Sequence, residues 1–412
     1  MARILLHSLI FSPDGVSTAY LMADLAQELQ QLGHVVTVLT TTPHYNAVES
    51  EMTRQPLSKA ASGLYYSTLG GVPVWHVPMG GRTASPGARS LAYLGFHLKS
   101  LYWAYRKDQA FDIIIAPSPP LSIGLVAWLI SRRHRAACVY IVQELYPDFA
   151  IHRGLIRSSF AIQVLQKLER LIYRKCDAVV TIADRFTRIV AARCACRQKV
   201  RTIPNFVDAE FYRPLPRDNA FAREHGLISP FVIMYAGNIG VAQDWGPILY
   251  AADRLREQPM KFVIIGDGTC REWLVRTVAQ RNLNNVLVLN YQPRDKMPEI
   301  NAACDVATIT MAPDAGRDGF PSKIYTTMAC GKPSIVSTEL ESELAWIVRE
   351  SKCGTVVPVR NNDAYAAAVL EAFRGRGGLV SEGLRGRSFV EQRYSKKAVA
   401  LQYDFLIRSL VG

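Results

Sequence analysis

This chain of 412 residues lacks the patterns that identify many membrane and redox proteins. Its longest apolar run, residues 119–130, ends at Ser131-Arg132-Arg133 and is shorter than the roughly 20 residues that a membrane-spanning helix needs. The eight cysteines are scattered. The nearest pair, Cys194 and Cys196, has the spacing of neither a zinc knuckle nor a redox Cys-x-x-Cys. We therefore expect no transmembrane helix and a set of reduced, cytosolic thiols.

Several catalytic patterns are also missing. The chain has no Asp-x-Asp and no His, Asp and Glu cluster with metal-ligand spacing, which disfavours a metal-bridged diphosphate. The absence of a G-x-S-x-G motif argues against an α/β-hydrolase. Neither a zinc-finger spacing, an RNP-like motif nor a continuous basic helix occurs, so nucleic acid is not an expected partner. We expect chemistry that uses neither a metal nor a cofactor.

The composition is that of a folded globular protein, with 49% hydrophobic and 20% charged residues. The length fits two domains of about 200 residues each. The apolar N-terminus runs into a Pro-Asp-Gly turn and not into a cleavage site, so we interpret residues 3–10 as a first strand and not as a signal peptide.

Short apolar, β-branched segments alternate with longer helical patterns, which predicts parallel sheets. The first series of predicted strands comprises residues 3–10, 35–41, 112–116, 137–143, 178–182 and 200–203, with a helix at 17–32. The second series comprises residues 231–235, 261–265, 286–289, 306–310, 334–337 and 354–357. We place the domain boundary near Asp208, with domains at 1–208 and 209–387. We expect a last helix, within 388–412, to pack back on the first domain.

Ligands of open parallel sheets bind beyond the carboxyl ends of the strands. Gly15 follows the first strand, and Gly240 and Gly266 follow the first two strands of the second domain. Each glycine allows a close approach of a phosphate or sugar, but a plain turn explains each one as well. The segment 314–323 is rich in glycine and ends at Lys323 near a helix start, which favours an anion site.

Taken in order, the motifs of nearly the whole chain resemble glycosyltransferase family 4, retaining enzymes of the GT-B fold. The motifs that carry the resemblance are Gly33-His-Val-Val-Thr-Val38, Val180-Thr-Ile-Ala-Asp184, Pro204-Asn-Phe-Val-Asp208, Gly237-Asn-Ile-Gly240, Gly266-Asp-Gly268, Pro321-Ser-Lys323 and Met328-Ala-Cys-Gly-Lys-Pro333. The resemblance implies an α/β fold of two facing Rossmann-like domains, the first on the acceptor side and the second binding a nucleotide sugar.

Three further segments resemble the branch of this family that contains fucosamine transferases and colanic-acid-type enzymes of bacterial surface-polysaccharide synthesis. They are Ser118-Pro-Pro-Leu121, Gln143-Glu-Leu-Tyr-Pro-Asp148 and Pro321-Ser-Lys-Ile-Tyr325. This resemblance implies a UDP-linked donor, a polyprenyl-diphosphate-linked acceptor and a place on the cytoplasmic face of the membrane. Transfer then occurs by front-side displacement with retention, and the departing diphosphate is the main charge to stabilise.

The resemblance and the positions of the motifs together give the expected site residues. The catalytic candidates are Glu144, Lys323 and Asp318; the donor-binding candidates are Gly15, Asn238, Gly240, Gln243, Gly266, Arg317, Gly319, Phe320, Pro321, Ser322 and Thr326; the acceptor-side candidates are Tyr146 and Asp148. Glu144 and Asp148 orient the acceptor or act as a base, or alternatively cap the following helix.

The chain departs from the family at the charged positions. Where the family often has two acidic residues with seven residues between them, this chain has Asp318 and Thr326. The Arg and Lys that usually follow the glycine turn of the second domain fall near Asn238 and Gln243. Neutralisation of the diphosphate must then come largely from Lys323, with Arg317 and backbone N–H groups.

Two other functions stay open on the sequence alone. A nucleotide-sugar epimerase can share this architecture and would act on the donor without a second sugar. A non-catalytic sugar-binding protein is the other alternative, and the uncharged Thr326, Asn238 and Gln243 are compatible with it. A nicotinamide oxidoreductase is disfavoured because no three-glycine fingerprint follows the first strand.

Charge is distributed unevenly, with 23 Lys and Arg against 12 Asp and Glu up to Phe206. Residues 89–107 place leucines and aromatic residues at helical spacing beside basic ones, which predicts peripheral binding to an anionic membrane surface. The residues expected to meet the lipid are Trp103, Lys99, Arg106 and Lys107. The alternative is a helix whose apolar side packs on its own sheet.

Overall fold

The structure is a computed structural model that describes residues 1–60, 62–80, 86–194, 196–317 and 320–412. The chain forms two compact units. One contains Met1–Asn205 together with Lys396–Gly412, and the other contains Phe206–Ser395. Each unit is built on a largely parallel sheet, so the predicted α/β fold with two Rossmann-like domains is confirmed.

The first 205 residues alternate strands with helices. The elements are β1 (Arg3–His7), α1 (Ser17–Gln31), β2 (Val35–Thr41), α2 (Glu49–Arg54), β3 (Ser58–Lys59), β4 (Tyr65–Leu69), β5 (Val72–Val77), α3 (Pro86–Arg106), β6 (Ile113–Pro117), α4 (Ser122–His134), β7 (Ala137–Val142), α5 (Asp148–His152), α6 (Ser159–Lys175), β8 (Ala178–Thr181), α7 (Asp184–Arg193) and β9 (Val200–Thr202).

The strands of this sheet follow the order β3-β4-β5-β2-β1-β6-β7-β8-β9, and the direction of the order reverses between β1 and β6. The hairpin of β4 and β5 was not expected from the sequence. Its turn consists of Gly70 and Gly71, both at positive φ, which is the geometry that a two-residue hairpin favours. Helices α3 and α4 pack together, and α4 also packs on α6.

The second series of elements has the same alternation. The elements are α8 (Ala220–Glu224), β10 (Phe231–Ala236), α9 (Gly246–Arg254), β11 (Met260–Ile265), α10 (Arg271–Gln280), β12 (Val286–Leu289), α11 (Met297–Ala302), β13 (Val306–Thr310), α12 (Lys323–Ala329), β14 (Ser334–Thr338), α13 (Glu343–Ser351), β15 (Gly354–Pro358), α14 (Asn362–Arg374), α15 (Leu379–Arg393) and α16 (Lys396–Val411).

Strand β10 is buried on both faces of the second sheet, whose order is β12-β11-β10-β13-β14-β15. Phe231, Ile233 and Tyr235 join a core with α9 and α14, and Val232 and Met234 join a core with α11. The order reverses between β10 and β13. The carboxyl ends of these two strands therefore flank the crevice in which parallel sheets bind their ligands.

The C-terminal stretch, expected as one helix from about Ser388, is two helices. α15 ends at Arg393 because the backbone then pairs with another segment: Val207 N donates to Tyr394 O at 2.9 Å. Helix α16 belongs to the first unit and packs on α1. His34 Nε2 lies 2.7 Å from Asp404 Oδ1. A polar contact therefore adds to the apolar contacts that hold α16 on its unit.

We predict that Tyr403→Ala lowers the free energy of unfolding by about 3 kcal/mol, because it leaves a cavity between α16 and its unit. Tyr403 is 3% exposed, whereas Phe405 on the same helix is 78% exposed. Phe405→Ala is therefore the matched control and should change the stability by less than about 0.5 kcal/mol. Urea unfolding measures the free energy of unfolding of both variants. An equal loss of stability in Tyr403→Ala and Phe405→Ala would show that α16 does not pack through Tyr403.

Candidate active site

Two glycine loops pack against each other at the carboxyl ends of β10 and β11. Gly237 N donates to Ile265 O at 2.9 Å, and Ile239 N donates to Asp267 O at 2.8 Å. Gly266 has a φ of 146°, and a Cβ added there would lie 1.9 Å from the carbonyl oxygen of Gly237. Only glycine fits at this contact. The structure thus places the predicted residues Gly240 and Gly266 in two adjoining loops.

The amino group of Lys323 is buried beside these loops. Its Nζ lies 3.7 Å from the centre of the Tyr235 ring and has no hydrogen-bond partner among the described residues. A Cβ at Gly237 would lie 2.8 Å from this Nζ, so Gly237 leaves room for the ammonium. Burial lowers the pKa of Lys323 from its usual 10.5 to about 7. An anion bound here would stabilise the charged form.

Tyr235 supports this arrangement, although no sequence motif pointed to it. Its ring lies under the Lys323 ammonium, and its hydroxyl donates to the carbonyl oxygen of Asn238 at 2.6 Å. Its ring also packs edge-on against Trp245, with centroids 4.9 Å apart. One side chain therefore holds both the loop and the lysine. The only signal in the sequence was a large polar aromatic residue near the end of a buried strand.

Gln243 and Asn238 are uncharged residues of the loop that follows β10. With its amide nitrogen facing two carbonyls, Gln243 donates to Asn238 O at 2.9 Å and to Gly240 O at 3.2 Å. Gln243 therefore holds its own loop closed. Asn238 is exposed on the same loop and contributes the carbonyl oxygen that accepts from Tyr235 and Gln243.

The segment that leads to Lys323 is held by a carboxylate from the next strand. Glu339, directly after β14, accepts a hydrogen bond from the backbone N–H of Asp314 at 2.8 Å. Asp318 and Gly319 lie outside the described residues, and the side chain of Arg317 is not described either. Their predicted roles stay predictions.

The segment from Phe320 to Thr326 is held by local contacts. Phe320 stacks on Tyr325, with centroids 5.4 Å apart, and the carbonyl of Pro321 accepts from Ile324 N at 3.2 Å. Ser322 directly precedes α12 and makes no side-chain capping bond. Thr326 lies one helical turn after Lys323, and both line a cavity of about 130 Å³ with Tyr212, Asn301, Thr308 and Thr327. Thr326 therefore shares this cavity with the lysine.

In the first unit, Gly15 is held by neighbouring backbone. Its N–H donates to Asn46 O at 2.8 Å, and a Cβ on it would lie 2.5 Å from Val48 Cγ2. The neighbouring Asp14 carboxylate accepts from the backbone N–H groups of residues 44, 45 and 46, at 3.1, 2.9 and 2.6 Å. Packing alone therefore requires a glycine here, and its N–H already has a partner.

The acceptor-side candidates follow β7. Asp148 forms an ion pair with Arg193, whose other nitrogen lies 3.0 Å from Glu169 Oε1. Asp148 is the first residue of the short helix α5, whose N-cap, Pro147, makes no side-chain capping bond. The structure therefore shows Asp148 in an ion pair, and its predicted roles at the acceptor or as a helix cap stay predictions. Glu144 and Tyr146 are both partly buried, and burial raises the pKa of Tyr146.

Gln143, which was not among the expected site residues, connects this loop to two others. Its side-chain oxygen accepts from Asn205 Nδ2 at 2.9 Å, and its backbone N–H donates to Ser118 Oγ at 3.0 Å. Gln143 therefore fixes the loop that carries Glu144. Its partners are distant in the sequence, so no local pattern indicated this role.

The four residues expected to meet lipid divide into two pairs. Trp103 is buried and packs on Trp75, with centroids 5.8 Å apart, and Lys107 Nζ lies 4.4 Å from the centre of the Trp75 ring. Trp103 is thus engaged in packing within its own unit, which corrects the expectation that it faces a membrane. Lys107 is half-buried, and its predicted role stays a prediction. Lys99 and Arg106 are exposed.

Neither a metal cluster nor a membrane span is found in the part of the chain that the structure describes. No three or more His, Cys, Asp or Glu side chains there are grouped as metal ligands would be. None of the helices described has both the length and the apolar character needed to cross a bilayer.

We predict that Gly266→Ala destabilises the second unit by about 2 kcal/mol or more, because the added Cβ meets the Gly237 carbonyl and alanine disfavours this φ. Gly377→Ala is the matched control, since a Cβ at Gly377 would meet no atom within 4 Å. Denaturant unfolding of both variants measures the difference. An unchanged stability for Gly266→Ala would contradict the close contact of the two loops.

Comparison with known proteins agrees with this architecture. Residues 18–205 match the glycosyl transferase 4-like domain, and residues 230–374 match glycosyl transferases group 1. The putative colanic acid biosynthesis glycosyl transferase WcaI of Escherichia coli is 23% identical over 411 residues, which cover 97% of this chain and 98% of that protein. The probable glycosyltransferase WbjE of Pseudomonas aeruginosa is 27% identical over 307 residues, covering 73% of this chain and 75% of that protein.

A solved structure is similar over the full length. The crystal structure of Anabaena HepE in complex with UDP-glucose matches with a TM-score of 0.74 at 16% identity, covering 99% of this chain and 100% of that one. The resemblance to glycosyltransferase family 4 and to the GT-B fold is confirmed, and the chain belongs to this family.

Proposed function

We propose that the protein transfers a hexosyl or N-acetylhexosaminyl group from a UDP-linked donor to an acceptor hydroxyl, with retention of the anomeric configuration. The observation that carries the proposal is the buried Nζ of Lys323 at the carboxyl end of β10, which has no hydrogen-bond partner among the residues that the structure describes. A nucleotide diphosphate would supply an anion for this group. The structural neighbour HepE, whose crystal structures contain UDP and UDP-glucose, supports a uridine donor.

The diphosphate would lie between the glycine loops and Lys323. The loop at Gly237 presents no side chain beyond its Cα, so phosphate oxygens can approach both the backbone and the Nζ. Lys323 adds a positive charge where water is largely excluded, and charge interactions are stronger there than in solvent. Thr326 and the cavity beneath it would accommodate other parts of the donor. Asn238 and Arg317 stay donor-binding candidates.

Retention follows from a displacement on one face of the sugar. The bond from the anomeric carbon to the diphosphate oxygen breaks, and the acceptor oxygen forms its bond on the same side. The departing oxygen accepts the proton of the acceptor hydroxyl. Lys323 stabilises the negative charge that grows on the leaving diphosphate, which is the largest electrostatic requirement of the reaction. Asp318 would face the donor sugar, and Glu144 would orient the acceptor or assist its deprotonation.

For the acceptor we propose a saccharide linked to polyprenyl diphosphate, used in bacterial surface-polysaccharide synthesis at the cytoplasmic face of the membrane. The similarity to WcaI, named for colanic acid biosynthesis, extends over 97% of this chain and supports this substrate class. The segment Gln143–Asp148, held by Ser118 and Asn205, offers Glu144 and Tyr146 beyond the carboxyl end of β7.

We predict that binding of a UDP-sugar to the wild type weakens as the pH rises through about 7. The pKa of Lys323 is about 7 in the free protein, and a bound diphosphate raises it. Below pH 7 the proton is already present, so affinity changes little. Above pH 7 binding must take up a proton, and affinity falls by up to about tenfold per pH unit. Calorimetric titration in buffers of different ionisation enthalpy measures both affinity and proton uptake.

Lys323→Met should bind the donor weakly at every pH, without proton uptake, and should lower turnover roughly 100- to 1,000-fold. Lys352→Met is the matched control, because Lys352 is exposed and lies before the amino end of β15, away from the site. If Lys323→Met binds the donor and transfers the sugar as the wild type does, Lys323 does not bind the diphosphate.

We also predict that transfer activity survives EDTA, because the chain has no Asp-x-Asp and the described residues hold no carboxylate cluster suited to a metal. The measurement is the initial rate of sugar transfer before and after chelation. A complete loss that manganese or magnesium restores would contradict the metal-free mechanism.

A further inference from the structure

Helix α3 has two apolar faces, and only one of them is buried. Phe96, Trp103 and Ala104 are buried within the first unit, together with the polar residues His97 and Ser100. The helix is therefore fully anchored by this face. The second apolar face is not required for its packing.

The second face is an exposed row of large side chains, which we name the α3 stripe: Leu91, Leu94, Leu98, Tyr102 and Tyr105. These side chains are between 47% and 70% exposed. At about 100° per residue they fall within an arc of about 80°, roughly opposite the buried face, and they extend along about 21 Å of helix. An apolar surface of this length is more than the scattered exposed residues of an ordinary surface.

A second exposed group lies on α6 and in the turn before it. Leu155, Phe160 and Val164, the α6 stripe, are 70%, 76% and 47% exposed. Phe160 and Val164 are one helical turn apart, and the buried residues of α6, such as Ile172, lie on another face. Helix α4 packs on both α3 and α6. The two stripes therefore belong to one layer of helices.

The charge of this layer has one sign. Neither α3 nor α4 contains an acidic residue, and the acid of α6, Glu169, is buried and paired with Arg193. Exposed basic side chains on the three helices include Lys99, Arg106, Arg132, Arg133, Lys167 and Arg170. The layer thus combines apolar stripes with positive charge, which is the pattern of a surface that lies in a lipid interface.

We propose that the α3, α4 and α6 layer docks on an anionic bilayer, with the two stripes at the level of the acyl chain boundary and the basic side chains against lipid phosphates. A second copy of the chain fits less well, because two such layers facing each other would bring like charges together. The proposal deepens the proposed function, since it gives a lipid-linked acceptor a place of contact. The proposal can be tested without a sugar donor or an acceptor.

The test is sedimentation of the pure full-length chain with vesicles of phosphatidylcholine, with and without phosphatidylglycerol. The wild type should pellet with the anionic vesicles at low salt and be released at high salt. Leu94→Glu combined with Leu98→Glu should lower the apparent affinity at least about tenfold. The matched control is Leu401→Glu with Phe405→Glu, since these residues are also exposed and four apart but lie on α16. It should bind as the wild type does.

Thermal unfolding and light scattering of each variant check that the fold and the oligomeric state are unchanged. The proposal is overturned if the wild type stays in the supernatant with anionic vesicles at low salt, or if both double variants lose binding equally. A different result would identify a second copy of the chain as the occupant: the wild type is a dimer that binds no vesicles, and Leu94→Glu combined with Leu98→Glu dissociates this dimer. Sugar transfer to a water-soluble acceptor is measured separately, so the failure of docking and the failure of the proposed reaction are distinguishable.

Discussion

The organisation of the second unit depends on one buried ammonium, that of Lys323, which has no hydrogen-bond partner among the described residues. A buried charge is costly unless something compensates for it. The face of the Tyr235 ring gives partial compensation at 3.7 Å. Tyr235 in turn holds the loop at Asn238, and Gly266 allows that loop to pack on its neighbour. The strand ends are thus arranged around a positive charge that a bound anion would neutralise.

At the corresponding edge of the first unit, in contrast, several polar groups of the loops already have partners. Asp14 accepts three backbone N–H groups, and Asp148 is paired with Arg193. Gln143 is bonded to both Ser118 and Asn205. Polar groups that satisfy one another make a rigid loop and a weak anion site. This contrast supports assigning the diphosphate to the second unit, and an acceptor hydroxyl suits the first.

Local patterns were enough to predict the alternation of strands and helices, since period and flanking turns are encoded within each segment. They also indicated the loops at Gly240 and Gly266 and the lysine at 323. They failed where the partner is distant in the sequence. Asp148 pairs with Arg193, 45 residues away, and Trp103 packs on Trp75. Spacing within a segment cannot show which of two apolar faces is buried. For α3, the buried face is determined by the sheet on which the helix packs and not by the sequence of the helix.

The topology connects the proposed lipid-facing layer to the acceptor side. Strand β5 is parallel to β2, and β7 is parallel to β6. A helix that follows such a strand begins at the carboxyl edge of the sheet. Leu91 lies near the start of α3, Phe160 lies at the start of α6 and Leu155 lies in the turn before it. Both stripes therefore begin at the edge where Glu144 follows β7. A saccharide on a lipid carrier could then meet Glu144 while the lipid stays in the bilayer.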